Sequence, residues 1–81
     1  MMRRNSLDIY ADILRVSRSG AKKTHLVYKA NLNFNIVKRY ITELTSKNLI
    51  ENDGDMYFIT DKGARFIESY DTLVEPFKNI K

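Results

Sequence analysis

A mainly α fold with one small β-hairpin, in the order helix, helix, turn, helix, hairpin, helix, is what this 81-residue sequence predicts. Three observations predict it. The stretch from Gly20 to Asn33, with the helical run after it, reads as a short helix, a tight turn and a longer helix in the most basic part of the chain. Asp53-Gly54 then stands between two runs of strand character, a strong two-residue hairpin signal because the primed turns need positive φ. Thr60-Asp61-Lys62-Gly63 follows at once as a helix start.

Ser6 is the expected cap of the first helix, and Asp8 in its first turn meets the positive end of the helix. Ile9, Ile13 and Val16, with Leu7, Tyr10 and Leu14 beside them, have helical spacing, and Gly20 supplies the stop. Thr24 is the next expected cap, opening a short helix from His25 to about Ala30. Asn31 tolerates positive φ and ends it. Asn33 caps a longer helix, Phe34 to about Lys47. Its apolar positions Phe34, Val37, Ile41 and Leu44 form one buried stripe, with Tyr40 on the edge. Asn35, Lys38, Arg39, Thr42 and Ser46 fall on the opposite face, with Ile36 on a flank. Asn48 takes the position after the helix.

Leu49 to Asn52 and Asp55 to Ile59 are the expected strands. Alternation puts Tyr57 and Ile59 on one face and Met56 and Phe58 on the other. Thr60 caps the last helix. Along it Phe66, Tyr70, Leu73 and Phe77 recur at helical spacing, with Ile67 and Val74 alongside, and Pro76 is expected to kink or end it near Val74 or Glu75. The whole order is the plan of a winged helix-turn-helix, and the usual job of that plan is holding duplex DNA.

The length allows one domain: residues 1–62 as the core and 63–81 as the C-terminal helix. A domain this small buries only roughly 60% of its unfolded surface, so a partner chain is a natural source of stability. There is no cysteine, which excludes disulfides and thiolate metal sites. No apolar run is long enough to cross a bilayer, and a cytoplasmic, nucleoid-associated protein is expected. The net charge of +4 is unevenly distributed. Residues 1–47 hold ten Lys/Arg against three Asp/Glu, and residues 48–81 hold four against seven. This asymmetry suggests a basic face for a polyanion.

Helix, turn and helix carry the chemistry. A helix fits the major groove of B-DNA, and its N-terminal side chains reach base edges. Here those positions are Asn33, Asn35, Lys38, Arg39 and Thr42, with Ile36 placed to touch a thymine methyl. Lys22, Lys23 and Thr24 lie where the second helix starts and are assigned to phosphates, joined by Lys29 and Arg18, with Arg3 and Arg4 as weaker candidates. The bland alternative is that these are the solvated faces of amphipathic helices. The hairpin Glu51-Asn52-Asp53-Gly54-Asp55-Met56 has three acids and no base, so phosphates repel it; it either stays off DNA or contacts a protein. The stripe of Tyr70, Leu73, Val74 and Phe77 extends past what so small a domain can cover, and a symmetric homodimer is its expected use.

No enzyme is expected. His25 is the only histidine, and the carboxylate pairs Asp8/Asp12 and Asp53/Asp55 come with no nucleophile or second catalytic partner. No metal, cofactor or small-molecule site is evident. The runner-up reading is a protein-docking module, which the acidic wing and an exposed Phe58 would suit.

Several segments resemble the small archaeal winged-helix DNA-binding proteins, a group of chromatin-type proteins and transcriptional regulators. They are Leu7 to Leu14, Gly20-Ala21-Lys22-Lys23-Thr24, Tyr28-Lys29-Ala30-Asn31-Leu32-Asn33, Tyr40, Leu44, Leu49-Ile50-Glu51 and Tyr57 to Gly63. The resemblance implies a homodimer joined by the C-terminal helices, with the helix at 33–47 offered to the major groove. It also implies an archaeal or archaeal-virus origin. Better known members have a longer last helix forming an antiparallel coiled coil; here it is short and holds Pro76.

Overall fold

The structure, a computed structural model, describes residues 5–78. In chain order run helix α1 (Ser6–Val16), a 3-10 turn (Ser17–Ser19), strand β1 (Ala21–Lys22), helix α2 (Lys23–Ala30) and helix α3 (Phe34–Ser46). Strands β2 (Ile50–Asp53) and β3 (Met56–Ile59) and helix α4 (Asp61–Lys78) follow. The expected order is present, with one strand added.

Asn5, not Ser6, caps α1. Its side chain accepts from the Asp8 amide at 2.9 Å, while Asp8 Oδ2 accepts from the Asn5 amide at 3.1 Å. This reciprocal capping box satisfies two amide donors at the helix start. The helix buries Ile9, Ala11, Ile13 and Leu14. It ends at Val16, and the 3-10 turn carries the chain to Gly20, whose φ of +92° makes the expected stop. A Cβ there would lie 2.6 Å from Cε1 of Phe58. Phe58 therefore packs over Gly20 and is half-buried rather than exposed.

Strand β1 is not legible from the sequence, because two residues show no alternation. It pairs antiparallel with β3 (Ala21 opposite Tyr57, Lys22 opposite Met56), giving a sheet in the order β1-β3-β2. This pairing also corrects the start of α2. Lys22 is held extended by β3, so the helix begins at Lys23 with no side-chain cap, and Thr24 lies inside its first turn.

Asn31, at φ +55°, ends α2; the amides of Asn31 and Leu32 turn back to the carbonyls of Tyr28 and Val27. Asn33 caps α3, its side chain accepting from the Ile36 amide at 2.8 Å. The same C-terminal device recurs at Asn48 (φ +62°), with the amides of Asn48 and Leu49 on the carbonyls of Thr45 and Leu44. Both are Schellman turns in which Asn takes the left-handed place usually held by Gly.

The hairpin register pairs Asp53 with Met56, so the two central turn residues are Gly54 and Asp55, one later than the Asp53-Gly54 expected. Positive φ falls at the first of them only, the pattern of a II′ turn. Thr60 Oγ1 accepts from the Gly63 amide at 3.0 Å and donates to the Asn48 carbonyl at 2.6 Å, capping α4 while tying it to the end of α3. Pro76 does not end α4 near Val74 or Glu75; the helix runs to Lys78. Pro76 stands in the last turn, where the ring deprives one carbonyl, that of exposed Thr72, of its partner.

Ile13, Leu14, Leu26, Val37, Leu44, Ile50 and Ile67 are fully buried, one or two from each of the four α-helices and one from β2. Helix α1 is the hub, packing on both α2 and α4. Among the described residues no buried side-chain polar atom lacks a partner; Ser17, fully buried, donates to the Ile13 carbonyl at 2.8 Å.

Candidate nucleic-acid interface

Helix α3 separates its faces cleanly. Val37, Tyr40, Ile41 and Leu44 are buried, while Asn35, Lys38, Arg39 and Thr42 are exposed. The four exposed positions step by three, one and three residues, so they share one side of the helix. Ile36 is half-buried, packed at the edge of the core. The Arg39 guanidinium sits 5.6 Å from the ring centre of Tyr40, which gives this long side chain a resting place on the surface. Thr42 Oγ1 donates back to the Lys38 carbonyl at 3.0 Å, leaving its lone pairs and methyl outward.

Two positions of the expected stripe exchange places. Tyr40 is buried, its hydroxyl 3.2 Å from Ser6 Oγ and its ring edge-on to Tyr10 at 5.6 Å. Phe34 leaves the core and is 48% exposed. Phe34 is the first residue of α3, and helical side chains lean toward the N-terminus, so its ring projects beyond the core toward the start of α2. There the Lys23 ammonium lies 5.4 Å from its centre. The helix-start position is the available signal for this; spacing alone places Phe34 inside.

Lys22, Lys23, Thr24, Phe34, Asp55 and Tyr57 line one shallow cleft of about 320 Å³ between α2, α3 and the wing. The structure thus brings three of the residues assigned to phosphates beside the N-terminus of α3. Lys22 and Thr24 are exposed and Lys23 half-buried. The acidic wing leans on this group: Asp55 Oδ2 is 3.7 Å from Lys22 Nζ, both well exposed. Such an exposed pair is weak. The Asn33 side-chain oxygen accepts the cap bond, and its amide NH₂ is left to donate outward. Lys29, at the far end of α2, is exposed, as is Arg18; neither joins the cleft. Tyr28 is 81% exposed, a position the sequence pattern does not mark; it belongs to the same short helix as the buried pair Leu26 and Ala30. Arg3 and Arg4 lie outside the described residues.

At the other end of the molecule, Leu73 and Phe77 are largely exposed and Val74 is half-buried. Leu7, from the first turn of α1, joins Phe66, Ser69, Tyr70 and Leu73 in lining an apolar groove of about 150 Å³. Tyr70 does not extend past the domain as expected. Its hydroxyl donates to Asp8 Oδ1, its ring stacks on Phe66 at 6.4 Å, and Arg15 lies 5.8 Å from the ring centre while pairing with Asp71. The hydrogen bond to Asp8, then burial, push the Tyr70 phenol up to about 12. The hydrogen bond from Tyr10 to Glu43 Oε1 (2.8 Å), then burial, likewise raise the Tyr10 phenol.

Among the described residues no group of three or more His, Asp or Glu is placed to hold a metal ion, and no helix is long and apolar enough to cross a membrane. The winged helix-turn-helix family model matches residues 3–78. An uncharacterised protein of Methanocaldococcus jannaschii is 27% identical over 77 residues, which make up 94% of this chain and 76% of that protein. The solved structure of Sso10a-2, a DNA-binding protein from Sulfolobus solfataricus, is similar with a TM-score of 0.80 at 24% identity, over 95% of this chain and 85% of that one. The reduced form of MarR from E. coli is similar with a TM-score of 0.72 at 17% identity, over 99% of this chain but 63% of that one. At these identities the two structures speak for the fold.

Proposed function

This chain belongs to the winged helix-turn-helix family, and from that premise we propose that it binds double-stranded DNA as a transcriptional regulator or nucleoid protein, with α3 in the major groove. The carrying observation is the division of α3: a buried side of four apolar or aromatic residues, and an exposed side of Asn35, Lys38, Arg39 and Thr42. Lys22, Lys23 and Thr24, beside the start of that helix, supply phosphate contacts, with Lys29 and Arg18 as outlying cations. Asn33 and Ile36 complete the readout set. The similar Sso10a-2 is a DNA-binding protein, which supports the same reading here. Such a protein works in the cytoplasm, on the nucleoid, and carries out no catalysis.

The functional unit is a homodimer joined through α4. Leu73 and Phe77, 66% and 63% exposed, are the anchors, with Val74 and the apolar groove beside Tyr70 next to them. A second reading, a protein-docking module, keeps one observation in its favour: Glu51, Asp53 and Asp55 make an exposed acidic wing tip. It loses another, since Phe58 packs over Gly20.

The test is a fluorescence-anisotropy titration of random duplex DNA across a salt series. A dimer touching roughly 6–10 phosphates loses ~10³–10⁵ in affinity between about 50 and 200 mM salt. No binding at low salt, with salt-insensitive association to a protein partner, overturns the DNA reading in favour of docking.

A further inference from the structure

We propose that Phe34 is a specificity-determining residue that reads the C5-methyl group of thymine in the major groove. The inference rests on the DNA-binding reading above and names one chemical feature of the base sequence that this surface selects. Phe34 is the first residue of α3. In a helix docked in the major groove, the N-terminal residues are those that reach the base edges. Nearly half of Phe34 is open to solvent, although the apolar spacing of the helix would place it inside.

Lys22, Lys23 and Thr24 share the cleft with it, opposite Asp55 and Tyr57 of the wing, and the Lys23 ammonium lies over its ring at 5.4 Å. With Lys22, Lys23 and Thr24 on phosphates, the exposed ring of Phe34 stands among them at the start of α3. A phenyl ring can neither donate nor accept a conventional hydrogen bond there. The apolar feature of a base edge in the major groove is the thymine methyl, and phenylalanine is among the side chains that make apolar contact with it. The neighbours complement it. The Asn33 NH₂ is not used by the cap and is a donor suited to an acceptor on the base edge, and Asn35 is exposed directly after Phe34 in the same first turn. The methyl contact therefore favours an A·T pair at the step facing the start of α3.

Removing the methyl alone tests this. Wild-type protein is titrated with poly(dA-dT) and with poly(dA-dU) duplex at one low salt concentration. Burying one methyl is worth about a fourfold change in affinity, so wild type prefers the thymine duplex by about fourfold per contacted methyl. Phe34→Ala removes its own share of that ratio, about fourfold, and Phe34→Leu, which keeps an apolar side chain in the same place, retains part of it. Circular dichroism confirms that the variants are folded. A duplex carrying 5-methylcytosine in place of cytosine gains affinity in the same Phe34-dependent way. Equal binding of both duplexes by wild type overturns the proposal, as does a Phe34→Ala variant that keeps the full ratio. Absence of binding to either duplex instead fails the DNA reading itself, and the two failures are thereby told apart.

Discussion

Tyr70 gives its phenolic proton to a hydrogen bond with Asp8, and that bond makes stability depend on pH in the alkaline range. Its folded pKa is raised to about 12 by the hydrogen bond first and burial second, against an ordinary value of 10.0. Between those values the unfolded chain ionises while the folded one stays neutral. The contribution of this group is therefore complete below about pH 10 and is lost as pH rises toward 12. Titration of the phenolate absorbance is expected to show Tyr70 ionising late, and Tyr70→Phe to remove that late component and flatten the alkaline fall in Tm. Arg39 is a second residue with a testable role. It is exposed and rests on Tyr40, so truncating it leaves the core intact. Arg39→Ala is expected to cost ~1–3 kcal/mol on a preferred duplex and less on random DNA. Equal loss on both assigns Arg39 to a phosphate.

At the scale of elements, the ends of the helices hold the arrangement. Asn33 both caps α3 and faces the proposed groove, and two substitutions separate those roles. Asn33→Ala is expected to lower stability by ~1 kcal/mol, whereas Asn33→Asp keeps the cap. On DNA the order reverses, because a carboxylate beside phosphates repels them: Asn33→Asp weakens binding more than Asn33→Ala. Thermal melts paired with anisotropy decide it. Helix α4 depends on Gly63 for a different reason. A Cβ there would sit inside contact distance of the Leu49 backbone carbonyl and 2.8 Å from Ile59 Cγ1. Backbone cannot swing aside as a side-chain tip can, so Gly63→Ala is expected to cost about 1–3 kcal/mol despite alanine's better helix propensity. A Tm equal to or above wild type would show that α4 shifts freely on the sheet.

For the whole molecule, the two ends are joined through α1. Tyr40 of α3 meets Tyr10, Tyr10 meets Phe66 at 6.2 Å, and Phe66 stacks on Tyr70, so a continuous aromatic row runs from α3 through α1 to α4. The proposed dimer sits at the α4 end of that row. Leu73→Asp combined with Phe77→Asp removes the exposed apolar anchors without touching the bond from Tyr70 to Asp8. Light scattering is expected to report a folded monomer, with weaker DNA binding because each molecule then holds half the phosphate contacts. A dimer unchanged by the pair places the subunit contact elsewhere.

Much of the fold was legible in the sequence because its signals are local. The caps at Asn33 and Thr60, the left-handed residues Asn31 and Asn48, the presence of a hairpin and the buried positions Val37, Ile41 and Leu44 each depend on a few adjacent residues and the period of one helix. The exposed face Asn35, Lys38, Arg39 and Thr42 was legible for the same reason. What only the tertiary structure decided depends on partners far along the chain. Strand β1 exists because β3 lies beside it, and that pairing starts α2 one residue before Thr24. Tyr70 turns inward because Asp8, 62 residues away, accepts its hydrogen bond. Phe34 turns outward because the core ends before the first residue of α3, a boundary that periodicity along one helix does not contain.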